Sequence, residues 1–313
     1  MLNIRTARPS VRFAPSPGAA GVALALVSAL ASGTLGIWGK LALTANLGTP
    51  TLLSWRFGLL ALLLLACGFW RVQARERRAL LLLGLLYAFT AVTYFMSLAR
   101  ITAGTAALLV YVAPAFVILY GALAGTRPAN AQLGALLCTL AGLGVVVGLP
   151  GAGDGDVTGL LLGALSGGLY GAFLYASHRL ARKASALAVT AHVSLVSAVV
   201  FVVLGAVVGD LTVPVSATHW GIIVGTLLLP TLVALPALTG AVRRIGATRA
   251  SLLATTDPLW AVLFAFLLLG ESLHVGQAVG GAFILAGAVL AQREREPRGH
   301  APTDRTPGDR AES

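Results

Sequence analysis

One stretch of this chain occurs twice, and that repetition constrains its fold more than any other feature. Residues 98–125 read LARITAGTAALLVYVAPAFVILYGALAG, and residues 242–270 read VRRIGATRASLLATTDPLWAVLFAFLLLG. Arg100-Ile101 falls on Arg244-Ile245, Leu108-Leu109 on Leu252-Leu253 and Pro114 on Pro258, all 144 residues apart. After a slip of one residue, Gly125 falls on Gly270, Gln132 on Gln277 and Ala141-Gly142 on Ala286-Gly287. Two halves that each carry a proline inside an apolar run point to a carrier whose site lies where discontinuous helices meet.

The solvent of such a chain follows from its composition. With 57% apolar and 11% charged residues and a mean hydropathy of +0.88, it departs far from soluble proteins, in which about 25% of residues are charged. A water-soluble core of this size could not hide so much apolar surface. Ten stretches approach the about 20 residues that cross a bilayer as a helix. They lie near 20–42, 50–69, 79–98, 102–124, 131–149, 157–177, 186–208, 218–241, 247–269 and 274–291. The expected fold is all-α integral membrane, with ten transmembrane helices as two inverted five-helix repeats. The first helix is too long for the apolar core of a signal peptide and is expected to be retained. Cys67 and Cys138 fall in different helices and read as small packing residues rather than a disulfide.

The net charge of +11 reports orientation, not a nucleic-acid partner. Arg5, Arg8 and Arg12 precede the first helix, and Arg71, Arg75, Arg77 and Arg78 follow the second. Arg127, then Arg179, Arg182 and Lys183, then Arg243, Arg244 and Arg249 fall in alternate later connections. The intervening connections carry Asp154, Asp156, Asp210 and Glu271, with Arg100 as their basic residue. This positive-inside pattern puts both termini in the cytoplasm. The excess of arginine over lysine hints at a GC-rich bacterial genome, so the expected location is the bacterial inner membrane.

Five helices per half, an odd number, make the second half enter the membrane from the opposite side. Arg100 on an outer connection and Arg244 on an inner one agree with this inversion. The expected divisions are a cytoplasmic segment at 1–18, a first repeat at 19–149, a periplasmic connector at 150–156, a second repeat at 157–291 and a disordered tail at 292–313. Glycines spaced by four at 163, 167 and 171, the run Gly134, Cys138, Gly142, and the pair Gly276 and Gly280 allow close helix contact. Packing within one protomer is the expected use, and a homodimer face is the alternative.

Charged groups at membrane depth are costly, so each one is informative. Asp257 lies about ten residues, or about 15 Å, into the ninth stretch, and it precedes Pro258, which cannot bond the carbonyl of Ala254. It could bind a proton, a cation or a substrate amine; the plainer reading is that it steadies the kink. Ala113 stands at the matching place before Pro114, so such a site is asymmetric. Arg56 could hold an anionic group or reach the headgroups, and Lys40, nearer water, reads first as a snorkelling side chain or a structural ion pair. Trp38, Tyr94, Tyr111, Tyr170, Tyr175 and Trp260 are aromatic candidates for a cavity wall, and a buried Tyr87 would likewise need a partner for its hydroxyl, although packing is the commoner use of any one of them. Pro230 and Pro236 predict a bent or broken eighth helix that lines one wall. The sequence has no nucleotide-binding loop, no Cys/His metal spacing and no catalytic constellation, so no cofactor, metal or enzymatic activity is expected.

The stretch ATRASLLATTDPLWAVLFAFLLLGESLHVGQAVGGAFILAG resembles the EamA type of the drug/metabolite transporter superfamily, through Asp257-Pro258, Gly270-Glu271 and the Gly-rich last helix. The first repeat resembles the same pattern with Ala113-Pro114 and Gly125-Thr126, lacking both acids. Lys40 and Arg56 match positions where the family commonly carries basic residues, and the family more often has Glu at the place of Asp257. The resemblance spans about residues 20–291 and implies ten helices, a central cavity and export of small metabolites. The expected function is export of a small organic metabolite or drug by alternating access, an amino-acid-like solute being favoured, with Asp257 as the proton or amine site and Arg56 orienting an anionic group. An uncoupled facilitator or importer, or a non-transporting receptor or scaffold, are the alternatives.

Overall fold

Backbone in hydrocarbon has no water to bond, so each crossing must satisfy itself internally, as a helix does. The computed structural model describes residues 17–148, 155–180, 184–245, 250 and 253–293, and among them there are helices and turns but no strand. In the first half these are α1 (Pro17–Gly33), α2 (Leu35–Thr44), α3 (Thr49–Ala66), α4 (Ala74–Leu98), α5 (Ala103–Val110), α6 (Ala113–Leu123) and α7 (Asn130–Gly148). The second half has α8 (Val157–Leu180), α9 (Ala186–Val208), α10 (Ala217–Leu227), a π segment (Leu228–Val233), α11 (Ala234–Ile245), α12 (Asp257–Leu269) and α13 (Val275–Arg293). Seven helical segments are long and apolar enough to cross a membrane, and three shorter apolar helices, Asn130–Val146, Asp257–Leu269 and Val275–Leu290, accompany them. Those ten segments fall on the ten apolar stretches of the sequence.

Four of the segments are discontinuous. The Pro114 break is as expected: α5 stops at Val110, and α6 restarts with Pro114 in its first turn, where a missing N–H costs nothing. Pro230 lies inside the π segment, which widens the helix by one residue where the proline withholds its N–H. Pro236 sits in the first turn of α11 and does not interrupt it. The first segment breaks at Thr34, which the sequence reading did not foresee. There the Thr34 hydroxyl donates to the Ala31 carbonyl at 2.7 Å, and a side chain on Gly33 would meet the Trp260 Cβ at 2.9 Å. Serine and threonine bonded back into their own helix bend it, and the crossing of α12 holds the bend.

The ninth segment is interrupted just before Pro258: Asp257 is the first residue of α12, after a turn at Thr255-Thr256.

The duplication extends to individual hydrogen bonds. Val112 N–H donates to the Leu109 carbonyl at 3.4 Å, and Thr256 N–H to Leu253 at 3.1 Å. Ala115 and Phe116 both donate to the Val112 carbonyl, as Leu259 and Trp260 both donate to Thr256. Past the one-residue slip, Gly125 (φ 86°) and Gly270 (φ 66°) both take the left-handed conformation that ends a helix without a side-chain clash. Ala129 N–H then donates to Gln132 Oε1 at 3.1 Å, and His274 N–H to Gln277 Oε1 at 3.2 Å, so α7 and α13 open with the same cap.

The packing partners also exchange between halves. α7 packs on α13 and α3 on α9, each helix against its counterpart, while α4 on α8 is matched by α1 on α11. The glycine stripes make these crossings close. A Cβ on Gly142 would lie 2.6 Å from the Gly280 carbonyl oxygen, and one on Gly167 2.5 Å from that of Leu109. Both stripes therefore pack within one chain. We expect Gly167→Val to push α8 off the α5–α6 break and to lower stability by about 1–3 kcal/mol, measured as a fall in melting temperature in detergent.

Connections of like charge gather at the same end. Lys40 Nζ donates to the Ile101 carbonyl at 2.7 Å, Arg100 pairs with Asp156 at 2.9 Å, and Ala103 N–H donates to Glu271 at 2.8 Å. Thr212 N–H donates to Thr51 Oγ1 at 3.0 Å, and the His219 ring meets the Ala45 carbonyl at 3.0 Å. The Gly159 N–H and the Arg100 guanidinium hold the exposed Asp156 carboxyl below the usual carboxylate range. At the other end Gly21 packs on Arg244 and Ile245, and Trp70, Arg71 and Arg77 face Ala184 and Ser185.

Candidate functional site

A buried polar atom with no partner points to a missing ligand or water. Among the described residues five side-chain atoms are in this state: Trp38 Nε1, Arg56 Nε, Tyr175 Oη, Asp257 Oδ1 and Trp260 Nε1. All five belong to residues that the sequence singles out.

Asp257 owes its position to the break before Pro258. As the first residue of α12, its carboxylate meets the positive end of a 13-residue helix, which stabilises a negative charge there. The hydroxyls of Tyr111 and Ser32 also face it, yet Oδ1 is left without a partner. Tyr111 is the residue at which α5 ends, and Ser32 lies in the last turn of α1 before the Thr34 break. Three helix breaks therefore converge on one carboxylate.

The opposite charge comes from the other half. Arg56, on α3, is 5% exposed. Its Nη2 donates to Thr231 Oγ1 in the π segment at 3.4 Å, a weak bond, and its Cζ stands 5.2 Å from the Phe57 ring centroid. Its Nε has no partner, and among the described residues no carboxylate lies within 4.0 Å of it. A guanidinium cannot shed its charge in a protein, so the site retains unspent capacity for an anion.

Tyrosines occupy the space between the two charges. Tyr87 and Tyr94 lie within electrostatic reach of Arg56, Tyr111 of Tyr94, Tyr170 and Asp257, and Tyr170 of Tyr87 and Asp257. Tyr94 is 7% exposed, with its hydroxyl against Gly36 of α2. The ring of Trp38 covers Gly225 of α10, and Trp260 lies one turn along α12 from Asp257. Arg56, Asp257, Tyr94, Tyr111 and Tyr170 are thus linked through one interior region beside the breaks at Pro114, Pro230 and Pro258, while Trp38 is tied to Gly225 and Trp260 to Gly33.

Lys40 stands apart from this group, because its ammonium is committed to the Ile101 carbonyl. Ser32 and Thr231 do not stand out in the sequence. A Ser or Thr beside a glycine or proline in an apolar run would have been their signal. Glu271 was noted only as a charge on an outer connection. It accepts from Ala103 N–H at 2.8 Å and Gly104 N–H at 3.3 Å, holding the start of α5 to the second half. Beside it, Gln277 Nε2 donates to Thr102 and Thr105 hydroxyls at 2.9 and 2.7 Å. Glu271→Ala strips both acceptors, a loss of about 1–3 kcal/mol. We expect the amides of residues 103–105 to exchange with solvent at least about tenfold faster, as read by mass spectrometry.

Among the described residues no cluster of three or more His, Cys, Asp or Glu could hold a metal ion. What the region offers chemically is two separated, opposite charges between aromatic walls.

Comparison with known proteins bears on this arrangement. The sequence profile of the EamA-like transporter family matches residues 19–148 and again residues 157–292. An uncharacterized transporter of Archaeoglobus fulgidus is 31% identical over 283 residues, which cover 88% of this chain and 97% of that protein. A protein of known crystal structure shares the fold with a TM-score of 0.59 at 21% identity, over 87% of this chain and 96% of that one.

Proposed function

Because this chain belongs to the EamA-like transporter family and is a membrane transporter, we propose that it exports a small zwitterionic, amino-acid-like metabolite by alternating access. The observation that carries this reading is the pair of charges without an ionic partner, the buried Arg56 in the first half and the half-buried Asp257 in the second, each with a buried polar atom that lacks a partner. A carboxylate-bearing amine bridges them, with its anionic end at Arg56 and its ammonium at Asp257. A ligand held by both halves responds when one half rocks against the other.

The proposed architecture is ten crossings in two inverted five-helix repeats, 19–149 and 157–291, joined at 150–156. The repeated hydrogen bonds at the Pro114 and Pro258 breaks and the reciprocal helix packing support the duplication. The odd helix number and the gathering of the odd-numbered connections at one end support the inversion. The segments 1–18 and 292–313 and the connection 150–156 lie wholly or largely outside the described residues. With arginines concentrated at the opposite end, both termini are cytoplasmic in a bacterial inner membrane.

Asp257 also suits a coupling role. It alternates between a proton and the substrate ammonium, so an inward proton gradient drives the solute out. Counterflow in proteoliposomes tests transport independently of coupling: vesicles preloaded with one unlabelled solute class receive a labelled trace outside. Transient accumulation of an amino acid, and not of sugars, nucleosides or simple organic cations, is the expected result. Accumulation of another class would overturn the substrate reading. Saturable binding without flux would identify a receptor, and counterflow without any pH-gradient response an uncoupled facilitator.

A further inference from the structure

Two adjoining cavities lie far from the Arg56–Asp257 region, at the arginine-rich end. One, of about 590 Å³, is lined by Trp70, Arg71, Gln73, Glu76, Arg77 and Ser185 among others. The other, of about 310 Å³, is walled by Leu80, Leu81, Leu195 and Val196 with the ring of His192, whose Nδ1 meets the Ala188 carbonyl at 2.8 Å. Trp70 and Arg77 line both, so a cationic chamber continues into an apolar one.

The cationic chamber has the chemistry of an anion site. Among the described residues neither Arg71 nor Arg77 has a carboxylate within 4.0 Å. Glu76, the acid in the lining, is 8% exposed and already interacts within the fold. Two long helices begin at its edge, α4 after Gln73, whose side chain makes no cap bond, and α9 after Ser185, whose hydroxyl accepts from Ala188 N–H at 3.2 Å. Their N-terminal dipoles add to the positive potential of the two arginines. Trp70 is 56% exposed, and the Arg71 guanidinium lies 5.4 Å from its ring centroid, an arrangement suited to the headgroup level.

The apolar chamber decides between sources of the anion. Leu81 and Leu195, 55% and 43% exposed, lie about one to three turns further along α4 and α9, where a free anion gains nothing. We infer that this paired cavity binds an anionic phospholipid of the inner leaflet, its phosphate between Arg71 and Arg77 and an acyl chain along Leu80, Leu81, Leu195 and Val196. Basic sites between helices at this face select charged lipids by this combination. The lipid would tie the α3–α4 connection to the α8–α9 connection, and so one half to the other.

The test uses full-length protein in a non-ionic detergent, titrated with phosphatidylglycerol, with phosphatidylcholine of the same chains, and with glycerol phosphate, and read by native mass spectrometry. Phosphatidylglycerol is expected to bind at least about tenfold more tightly than either of the others. Arg71→Gln with Arg77→Gln reduces that binding about tenfold or more, whereas Arg127→Gln, on another basic connection, leaves it unchanged. Leu195→Asn weakens the lipid and not glycerol phosphate. Equal binding of the two phospholipids, competition by glycerol phosphate as strong as by lipid, or an equal loss in Arg127→Gln would each overturn the proposal. If the double variant fails to fold, the wild-type lipid comparison and Leu195→Asn decide it.

Discussion

Asp257→Asn is expected to leave the protein folded while abolishing the dependence of transport on an imposed pH gradient. Asparagine keeps the size of the side chain and an acceptor for the Ser32 and Tyr111 hydroxyls that face residue 257. It removes the charge that the start of α12 stabilises, and with it the exchangeable proton. Loss of a charge-assisted bond to an ammonium costs about 1.5–3 kcal/mol, so an amino-acid substrate should bind about ten- to a hundredfold more weakly. The discriminating control is a deaminated analogue, which lacks the ammonium and should be indifferent to the change. Proteoliposomes that still respond fully to a pH gradient with Asn at 257 would exclude this residue as the coupling site.

Arg56→Gln should give the complementary phenotype. Substrates that carry a carboxylate lose about ten- to a hundredfold in affinity, because a planar guanidinium with unspent donors is replaced by a neutral amide. Decarboxylated amines, which have no group for Arg56, bind wild-type protein only weakly and should lose no further affinity, as read by competition against the labelled amino acid. Arg56→Lys restores the charge but not the fork, and should recover part of the loss. The change also relieves the fold of an unpaired buried charge, so thermal stability is expected to hold or rise while transport falls. A loss of stability that tracked the loss of transport would mean that Arg56 is a structural group. Swapped dependence on the two ends of the substrate, by contrast, could not arise from misfolding.

These experiments separate two properties that the family alone does not distinguish. In the proposed reading the duplicated fold supplies the hinge, and Arg56 and Asp257 supply the charges at the ligand's place. Ala113 begins α6 where Asp257 begins α12, so the two halves present chemically different surfaces on equivalent backbones. The same asymmetry holds at the outer end, where Glu271 caps α5 and its counterpart in the first half is Thr126.

Much of this was legible before any coordinates. Apolar length, the arginine pattern and the 144-residue echo specified a helical membrane protein built from two related halves, because bilayer solvation and proline geometry act locally on the chain. Pro114 and Pro258 marked two helix breaks, and Asp257 and Arg56 stood out simply because charge is rare at that depth. Tertiary structure alone supplied what depends on residues distant in sequence. The break at Thr34 needs the crossing of α12 over Gly33, and the partners of Asp257 come from α1 and α5. Lys40 was drawn away from the site by a carbonyl 61 residues further on. Single residues announce their own solvation and backbone preferences, whereas a binding site is set by which of them packing brings together.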